Sequence, residues 1–220
     1  MILVFFWKIK ARYIPWAILH MGLDRLALAR RSDVKFWKLL GTGKGETFTP
    51  RDADVLRWGL LVVVDQDSEI ANSKIINRWN KKSHSQFSGQ LSPISINGAW
   101  SKKSPFDQIP KASSDWSGKI VAITRARIKW RKNFIFWSSV PPVTTSLHSS
   151  PGLISAIGIG EAPIGLQGTF SLWESAAAIR EFAYKGAAHQ KAIADTATYN
   201  WYSEELFARF AVKDMRGSIS

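Results

Sequence analysis

The order of strand and helix patterns in this chain occurs twice, and this repetition is the strongest constraint on its fold. The clearer copy holds two strand-like segments, 156–161 and 167–173, followed by a helical run to His189. A weaker copy earlier in the chain holds the segments 36–43 and 58–65, again followed by a helical run. The copies are offset by roughly 110–120 residues, which is too long for a solenoid repeat and suits a duplicated domain. We therefore predict one module in two copies, the second of which carries the chemistry.

In the first half, the spacing of apolar residues predicts a helix over 16–30. Asp65 and Asp67 are candidate caps for a second helix over 68–82. The glycine-rich stretch that begins at Gly41 is expected to end a strand. Runs rich in branched and aromatic residues predict strands at 2–10, 35–40, 58–64 and 91–96.

The second half repeats this order. A helix is predicted over 130–137, and Ser175 is the candidate cap of another helix whose buried face carries Ile179 and Phe182. A further helical segment is predicted over 188–198. Strands are predicted at 119–128, 153–159, 169–173 and 206–212.

Each half therefore has the order β-α-β-β-α-β of a ferredoxin-like module, a four-stranded antiparallel sheet with helices on one face. We predict an α+β fold of two tandem duplicated modules, of the dimeric α+β barrel type, with antiparallel sheets packed face to face. The predicted boundaries are a first module over 1–100, a polar linker over 101–117 and a second, cofactor-bearing module over 118–220.

The chain has no cysteine, which excludes disulfides, thiolate metal sites, cysteine nucleophiles and thiolate-ligated haem. A metal or haem must therefore depend on oxygen ligands or on a histidine. His189 lies on a predicted helix where its imidazole can face the sheet, and His20, near the apolar stripe of the first helix, is the second candidate. His84 is expected to be exposed and His148 to be structural. Considered alone, a helical histidine is more often a core or surface residue than a ligand.

Three familiar functional motifs are incomplete or absent in this sequence. The glycines at 41–45 suggest a phosphate loop, but Lys38 stands where its first glycine belongs and Gly45 where it needs Ser or Thr. Segment 157–161 lacks the third glycine of a dinucleotide fingerprint. Its alternating glycines allow either close packing or the approach of a flat ligand. The chain contains no Gly-x-Ser-x-Gly motif of a serine nucleophile.

The net charge of +13 favours an anionic partner such as nucleic acid, a membrane surface or an acidic protein. A basic run around Trp130 can bind nucleic acid, haem propionates or anionic lipid, or be only a solvated face. No recognised nucleic-acid module is present, so we expect no nucleic-acid partner. The run comprises Arg125, Arg127, Lys129, Arg131 and Lys132.

The apolar start of the chain, 1–7, is followed by Lys8 and Lys10 and is too short to span a bilayer. It also lacks a small-residue cleavage site, so we expect a first strand there. No other apolar run is long enough to cross a membrane. We predict a cytoplasmic protein that can contact a membrane surface peripherally.

Motifs along nearly the whole chain are similar to those of one protein family. They are Phe-Trp-Lys-Leu-Leu-Gly-Thr-Gly-Lys-Gly-Glu-Thr-Phe-Thr-Pro at 36–50, Gly-Ala-Trp at 98–100, Ala-Ile-Thr-Arg-Ala-Arg-Ile at 122–128, Phe-Trp at 136–137, Ala-Ile-Gly-Ile-Gly-Glu-Ala-Pro at 156–163, Thr-Phe-Ser-Leu-Trp at 169–173 and Trp-Tyr-Ser-Glu-Glu-Leu-Phe-Ala-Arg-Phe at 201–210. In this order they resemble spheroidene monooxygenases. Segments 102–117 and 144–150 depart from the family's pattern, so the substrate can differ.

The resemblance implies an enzyme that inserts oxygen from O₂ at the terminal methylene of an acyclic carotenoid, giving a ketone after repeated hydroxylation. It also implies haem b, with His189 as axial ligand, because in related ferredoxin-like haem proteins the histidine lies on the last helix. Arg125 or Arg127 would pair with the propionates. A ferredoxin-like electron donor protein is an expected partner. The apolar slot for the polyene would be lined by Trp37, Phe136, Trp137, Phe170 and Trp173.

Two other hypotheses remain open at this point. One is a cofactor-free oxygenase or small-molecule-binding protein of the same duplicated α+β barrel fold, which would be colourless. The other is a basic nucleic-acid-binding protein, whose binding would weaken steeply with salt. The absorption spectrum of the purified protein distinguishes the haem enzyme from both.

Overall fold

The computed structural model of the chain describes residues 1–45, 49–129, 131, 144–161, 166–185 and 202–219. Three helices lie among them: α1 Ile14–Ala29, α2 Lys74–Lys82 and α3 Ala176–Lys185. The strands are β1 Ile2–Ile9, β2 Val34–Gly43, β3 Ala53–Val64, β4 Ser83–Gly98, β5 Ile120–Ile128, β6 Leu153–Gly160, β7 Leu166–Trp173 and β8 Tyr202–Gly217.

The eight strands form one closed antiparallel barrel in the order β1-β3-β2-β6-β7-β5-β8-β4. A long pairing of β4 with β8 joins the two halves on one side. On the other side β2 and β6 share only the pairs Gly41–Gly160, Thr42–Ile159 and Gly43–Gly158. The expected face-to-face sheets are thus hydrogen-bonded to each other at both edges, so the α+β fold is a barrel rather than a two-sheet sandwich.

The barrel wall is apolar on both faces. On β1, Ile2, Val4 and Phe6 point into the barrel, where Phe6 packs against Phe170 with ring centroids 5.0 Å apart. The alternate side chains face outward and are covered by α1 and α2. Burial on both faces explains why the sequence of β3 ends in an unbroken apolar run instead of alternating.

Helices cover the outside of each half. Asp24 on the inner face of α1 is fully buried, accepts a hydrogen bond from Trp79 Nε1 at 2.8 Å and forms an ion pair with Arg78 at 2.7 Å. These contacts fix α1 to α2. In the second half α3 covers the sheet through Ile179 and Phe182.

The bounds of several predicted elements change in the structure. The helix expected over 68–82 begins at Lys74, because Ser73 Oγ accepts the Ile76 backbone N–H and caps it, after a short 3₁₀ turn. Gly41 does not end its strand but lies within β2. Ser175 caps α3 as expected, accepting from the Ala178 N–H. The helices expected over 130–137 and 188–198 lie outside the described residues, apart from residue 131.

Segment 101–117 runs between β4 and β5 and contributes to the barrel core. Phe106 is fully buried, and its ring packs edge-on against Phe210 at 5.1 Å and Phe36 at 6.4 Å. Trp100, just before the segment, is also buried. Although the segment is polar in composition, its buried Phe106 forms, with Trp100, an apolar plug at one end of the barrel.

Across the described ranges, no helix combines the length and the apolar composition that a membrane crossing requires.

The plug gives a stability prediction. Phe106→Ala should lower the free energy of unfolding by about 3–5 kcal/mol, because it leaves a cavity between Phe36 and Phe210. Urea denaturation followed by circular dichroism measures this change. The exposed Lys111→Ala, in the same segment, should change the stability by less than about 0.5 kcal/mol. Equal, small effects of both substitutions would show that the segment is only a tether.

Candidate active site

Four strands each bring one charged side chain to the same end of the barrel interior. Alternate residues of a strand share a face, so a charge two residues from an inward apolar residue also points inward. On β2 this residue is Lys38, between Phe36 and Leu40. The other three are Arg125 on β5, Glu161 just after β6 and Glu204 on β8. We call these four residues the charge network.

Glu161 is the centre of the charge network. Its Oε2 accepts from Lys38 Nζ at 2.5 Å, and its Oε1 accepts from Trp100 Nε1 at 2.7 Å and from Arg125 Nε at 3.0 Å. The side chains of Lys38 and Glu161 are each 16% exposed, and that of Arg125 is 2% exposed. The carboxylate therefore ties a strand of the first half to one of the second in a largely water-free place.

Glu204 completes the charge balance. Arg125 Nη1 donates to its Oε1, and the backbone N–H groups of Ser101 and Lys102 donate at 3.0 and 2.5 Å. Ser101 and Lys102 both adopt left-handed backbone conformations, with φ of 56° and 58°. This unusual turn, for residues other than glycine, aims both N–H groups at one carboxylate.

Both carboxylates of the charge network are ionised. Burial alone would raise the pKa of Glu161, but hydrogen bonds from Lys38 and Trp100 and the charges of Arg125 and Lys38 outweigh it and lower the pKa. Burial would likewise raise the pKa of Glu204, and the donors from Lys102, Arg125 and Ser101 lower it instead. Neither carboxyl group can therefore serve as a proton donor near neutral pH. The network instead links its strands and balances the buried positive charges.

Two cavities adjoin the charge network, and Glu161 lines both of them. The first, of about 280 Å³, lies at the seam between β2 and β6. Its floor consists of Gly41, Gly43, Gly158 and Gly160, while Met21 of α1 and Trp58 of β3 contribute apolar walls. A Cβ added at Gly41 would meet only Gly160 O, at 3.7 Å. At Gly43 the space beside the backbone is filled by Asp52, and at Gly158 by Gly43 and Gly45, so the open part of the floor lies at Gly41.

The second cavity, of about 310 Å³, lies on the other side of β2 residues 34–39. It is lined by Arg25, Leu28 and Ala29 of α1 and by Trp37 and Lys38 of β2, with Ser101 and Lys103 from the turn after β4. Helix α1 therefore contributes to the lining of both cavities, through Met21 in the first.

The structure separates several residues predicted to line one slot. Trp37 lines the second cavity, with Arg25 over its ring at 5.9 Å. Phe170 packs inside the barrel, whereas Trp173, three residues later on β7, faces outward and contacts the Phe182 ring of α3 in a tilted arrangement. An odd spacing on a strand puts two side chains on opposite faces. Phe136 and Trp137 lie outside the described residues.

The two predicted propionate partners differ in environment. Arg125 is buried and engaged by Glu161 and Glu204. Arg127, on the same strand, is exposed.

The described histidines do not line either cavity. His20 stacks on Trp16, with ring centroids 4.2 Å apart, and its Nδ1 lies 3.0 Å from the Trp16 carbonyl oxygen. His84 and His148 are exposed. No group of three or more His, Cys, Asp or Glu side chains that could hold a metal ion occurs among the described residues. His189 lies outside them.

Met21 and Trp58 thus give the first cavity apolar walls, Asp52, Asp54 and Glu161 also line it, and none of the described histidines does.

Sequence reasoning missed most of the charge network. It singled out Arg125 for another role and did not consider Lys38, Glu161 or Glu204 as site residues. The signal was present in the alternation of each strand, since Glu161 follows Ile157 and Ile159 at a spacing of two. A lone charge that continues an inward apolar series is a candidate for a buried ion pair.

The fold and the site define an eight-stranded α+β barrel with ligand-sized cavities beside a buried charge network. A solved structure of aldoxime dehydratase has a similar fold, with a TM-score of 0.58 and 9% identity, covering 97% of this chain and 81% of that chain. At this identity the likeness concerns the fold alone. No protein-family model matches the chain.

Sequence relatives are more specific. The chain is 36% identical over 211 residues to spheroidene monooxygenase of Rhodobacter capsulatus, covering 93% of this chain and 86% of the relative. It is 32% identical to that of Rubrivivax gelatinosus, covering 83% and 70%. It is 35% identical to that of Cereibacter sphaeroides, of which it spans 61%. The chain belongs to the spheroidene monooxygenase family.

The charge network predicts a pH-dependent stability. The folded-state pKa of Glu161 is depressed, so its contribution is fully present above the unfolded-state pKa, about 4.3, and is lost as pH falls through the lower folded-state pKa. Glu161→Gln should lower the free energy of unfolding by about 3 kcal/mol at pH 7, because it leaves buried cations underpaired. The difference from the native protein should shrink below about pH 4.

Denaturant titrations from pH 7 to about pH 3 measure this difference. Glu205→Gln, exposed on the opposite face of β8, is the matched control and should be close to neutral. A constant Glu161→Gln penalty at all pH values would contradict a role for the ionised carboxylate.

Proposed function

We propose that the protein is a haem-dependent monooxygenase that inserts an O₂-derived oxygen into an acyclic, spheroidene-like carotenoid to give a hydroxy or keto product. The observation that carries this proposal is family membership, with relatives 32–36% identical over most of the chain. Membership makes the protein an oxidoreductase that acts on a carotenoid. The haem and the substrate site are each tested by a substitution, at His189 and at Gly41.

The glycine-floored cavity supports binding of an apolar substrate. Its floor lacks side chains, and Met21 and Trp58 offer apolar walls. Its volume of about 280 Å³ suits part of a long polyene rather than a whole one. An end of the chain inserted here, with the remainder extending beside α1, would place a terminal carbon for reaction. This arrangement agrees with oxidation at the terminus of an acyclic molecule.

His189 is the proposed axial ligand of haem. Of the histidines, His20 is stacked on Trp16, and His84 and His148 are exposed. Bound haem would supply the oxygen chemistry, while the protein orients the substrate and excludes water. Arg127 is free of the interior pairing that holds Arg125, so it is the better proposed partner for a propionate. Arg125 would have to release Glu161 or Glu204 to take that role.

The reaction needs an external source of electrons. One oxygen atom of O₂ enters the carotenoid and the other leaves as water, which consumes two electrons and two protons per hydroxylation. We assign their delivery to a ferredoxin-like donor protein. The net charge of +13 favours association with such a partner if it is acidic.

A tandem duplication would explain the barrel. The first half has the strand order β4-β1-β3-β2 and the second half has the corresponding order β8-β5-β7-β6. Each is the order of a ferredoxin-like sheet, and the two meet edge to edge. Two copies of one module joined in this way bury the bare face that each sheet would otherwise expose.

Absorption spectroscopy tests the haem proposal. The purified protein, reconstituted with haemin, should show a Soret band, and His189→Ala should weaken it by at least about tenfold because the iron loses its protein ligand. His20→Ala and His84→Ala are the matched histidine controls and should retain it. Loss of the band in His20→Ala alone would assign the ligand to α1. A colourless protein that gains no band on haemin addition would favour a cofactor-free oxygenase of the same family.

A substitution in the cavity floor tests the substrate site. Gly41→Val should reduce kcat/KM for the carotenoid at least about tenfold, because its methyl groups would occupy the first cavity. The melting temperature should change little, since a Cβ at this position contacts only Gly160 O and β-branched residues suit strands. Gly41→Ala should have an intermediate effect. Unchanged turnover with an unchanged melting temperature would exclude this cavity.

A further inference from the structure

Helix α1 presents an apolar face to solvent. Ile18, Leu19, Leu23 and Leu26 are 61%, 57%, 47% and 59% exposed. At about 100° per residue they lie on the arc opposite the buried residues of α1. Pro15, Gly22 and Ala29 are exposed on the same arc, so no charged residue interrupts it. We call these seven residues the α1 outer face.

The α1 outer face departs from the usual pattern of a surface helix. Such a helix normally buries an apolar stripe and exposes polar residues. Here the inner face is also apolar apart from Asp24, which is fully buried against Trp79 and Arg78. Single exposed aliphatic residues are ordinary, but four of them from Ile18 to Leu26, over about two turns of helix, indicate a surface that contacts an apolar partner.

Exposed basic residues surround the α1 outer face. Lys10 and Arg12 precede the helix, Arg25 lies at its edge and Arg30 follows its last turn. Apolar residues rimmed by lysine and arginine are typical of helices that lie in the headgroup region of an anionic bilayer. A symmetric contact with a second copy would instead bring two basic rims together, which is unfavourable.

We infer that the α1 outer face docks the protein on the surface of a bilayer that contains anionic lipid. The helix would lie in the plane of the interface, with its aliphatic side chains among the acyl chains and the basic rim at the headgroups.

Docking through α1 would bring both cavities close to the bilayer. Met21 lines the first cavity, and Arg25, Leu28 and Ala29 line the second, so the docked helix borders both. A carotenoid dissolved in the bilayer could therefore enter without crossing water. This delivery step rests on the proposed function, whereas the docking itself does not.

Vesicle flotation tests the docking directly. The native protein should float with vesicles of phosphatidylcholine containing about one third phosphatidylglycerol, and less with phosphatidylcholine alone. Leu19→Glu/Leu26→Glu should reduce the bound fraction at least about tenfold. Ile154→Glu, at a 43% exposed aliphatic residue of β6, is the control and should bind like the native protein. Equal binding of all three proteins would overturn the inference, since basic charge alone would then account for it.

A fluorescent label tests which face enters the lipid. Because the chain has no cysteine, Leu23→Cys can be labelled at a single site with an environment-sensitive dye. Its emission should shift to shorter wavelength on addition of the anionic vesicles, and that of labelled Ile154→Cys should not. A shift at both positions, or at Ile154→Cys alone, would contradict the proposed orientation.

Two further measurements separate docking from its alternatives. Size-exclusion chromatography should give a monomer for both the native protein and Leu19→Glu/Leu26→Glu. A native dimer that the double substitution dissociates would assign the face to a second copy and overturn the inference.

Turnover should persist in the double variant with detergent-dispersed carotenoid and fall at least about tenfold with carotenoid in vesicles. If the native protein floats normally but shows no turnover of carotenoid, the proposed function is refuted and the docking stands.

Discussion

The ionised carboxylate of Glu161 is the interaction on which the rest of the barrel end depends. It accepts from Lys38 and Trp100 of the first half and from Arg125 of the second, beside a seam that only three residue pairs close. A buried charge without partners is far more costly than a surface charge, so each cation needs its carboxylate. Glu204 matches the second positive charge and is held by the left-handed turn at Ser101 and Lys102. The network thereby fixes the segment after β4 to the barrel.

This charge network also explains why the cavities lie where they do. One ion pair, Lys38–Glu161, joins β2 to the residue after β6, beside the three residue pairs that the two strands share. Glycines at the seam leave a floor without side chains, and the open edge of β2 leaves the second cavity. A seam closed by a long ladder, like that between β4 and β8, would leave no such space. The weakest pairing in the barrel is therefore the place where a ligand can be accommodated.

Patterns that depend on neighbouring residues allowed most strands to be predicted, and patterns that depend on distant residues did not. The apolar runs of β1 and β3 and the stripe of α1 are local signals. That Gly41 continues a strand depends on its pairing with Trp58 and with Gly160, the latter more than a hundred residues away. The partners of Lys38 and the burial of Phe106 also arise from barrel closure, so composition alone suggested a polar linker. Family resemblance identified the enzyme class because its motifs extend along the whole chain, but the histidine that it favours, His189, lies outside the described residues.

Helix α1 has two apolar faces in different surroundings, one packed on the barrel and one exposed to solvent. Periodicity identified the helix from residues that recur every three or four positions, yet several of these, including Leu19, Leu23 and Leu26, point to solvent. The inner face needs only small and apolar contacts with the barrel, plus Asp24 to attach α2. The free energy of folding does not require the aliphatic outer residues, and leaving them in water brings no gain in stability. Their exposure is consistent with contact outside the chain, and the basic rim indicates that an anionic lipid surface would supply it.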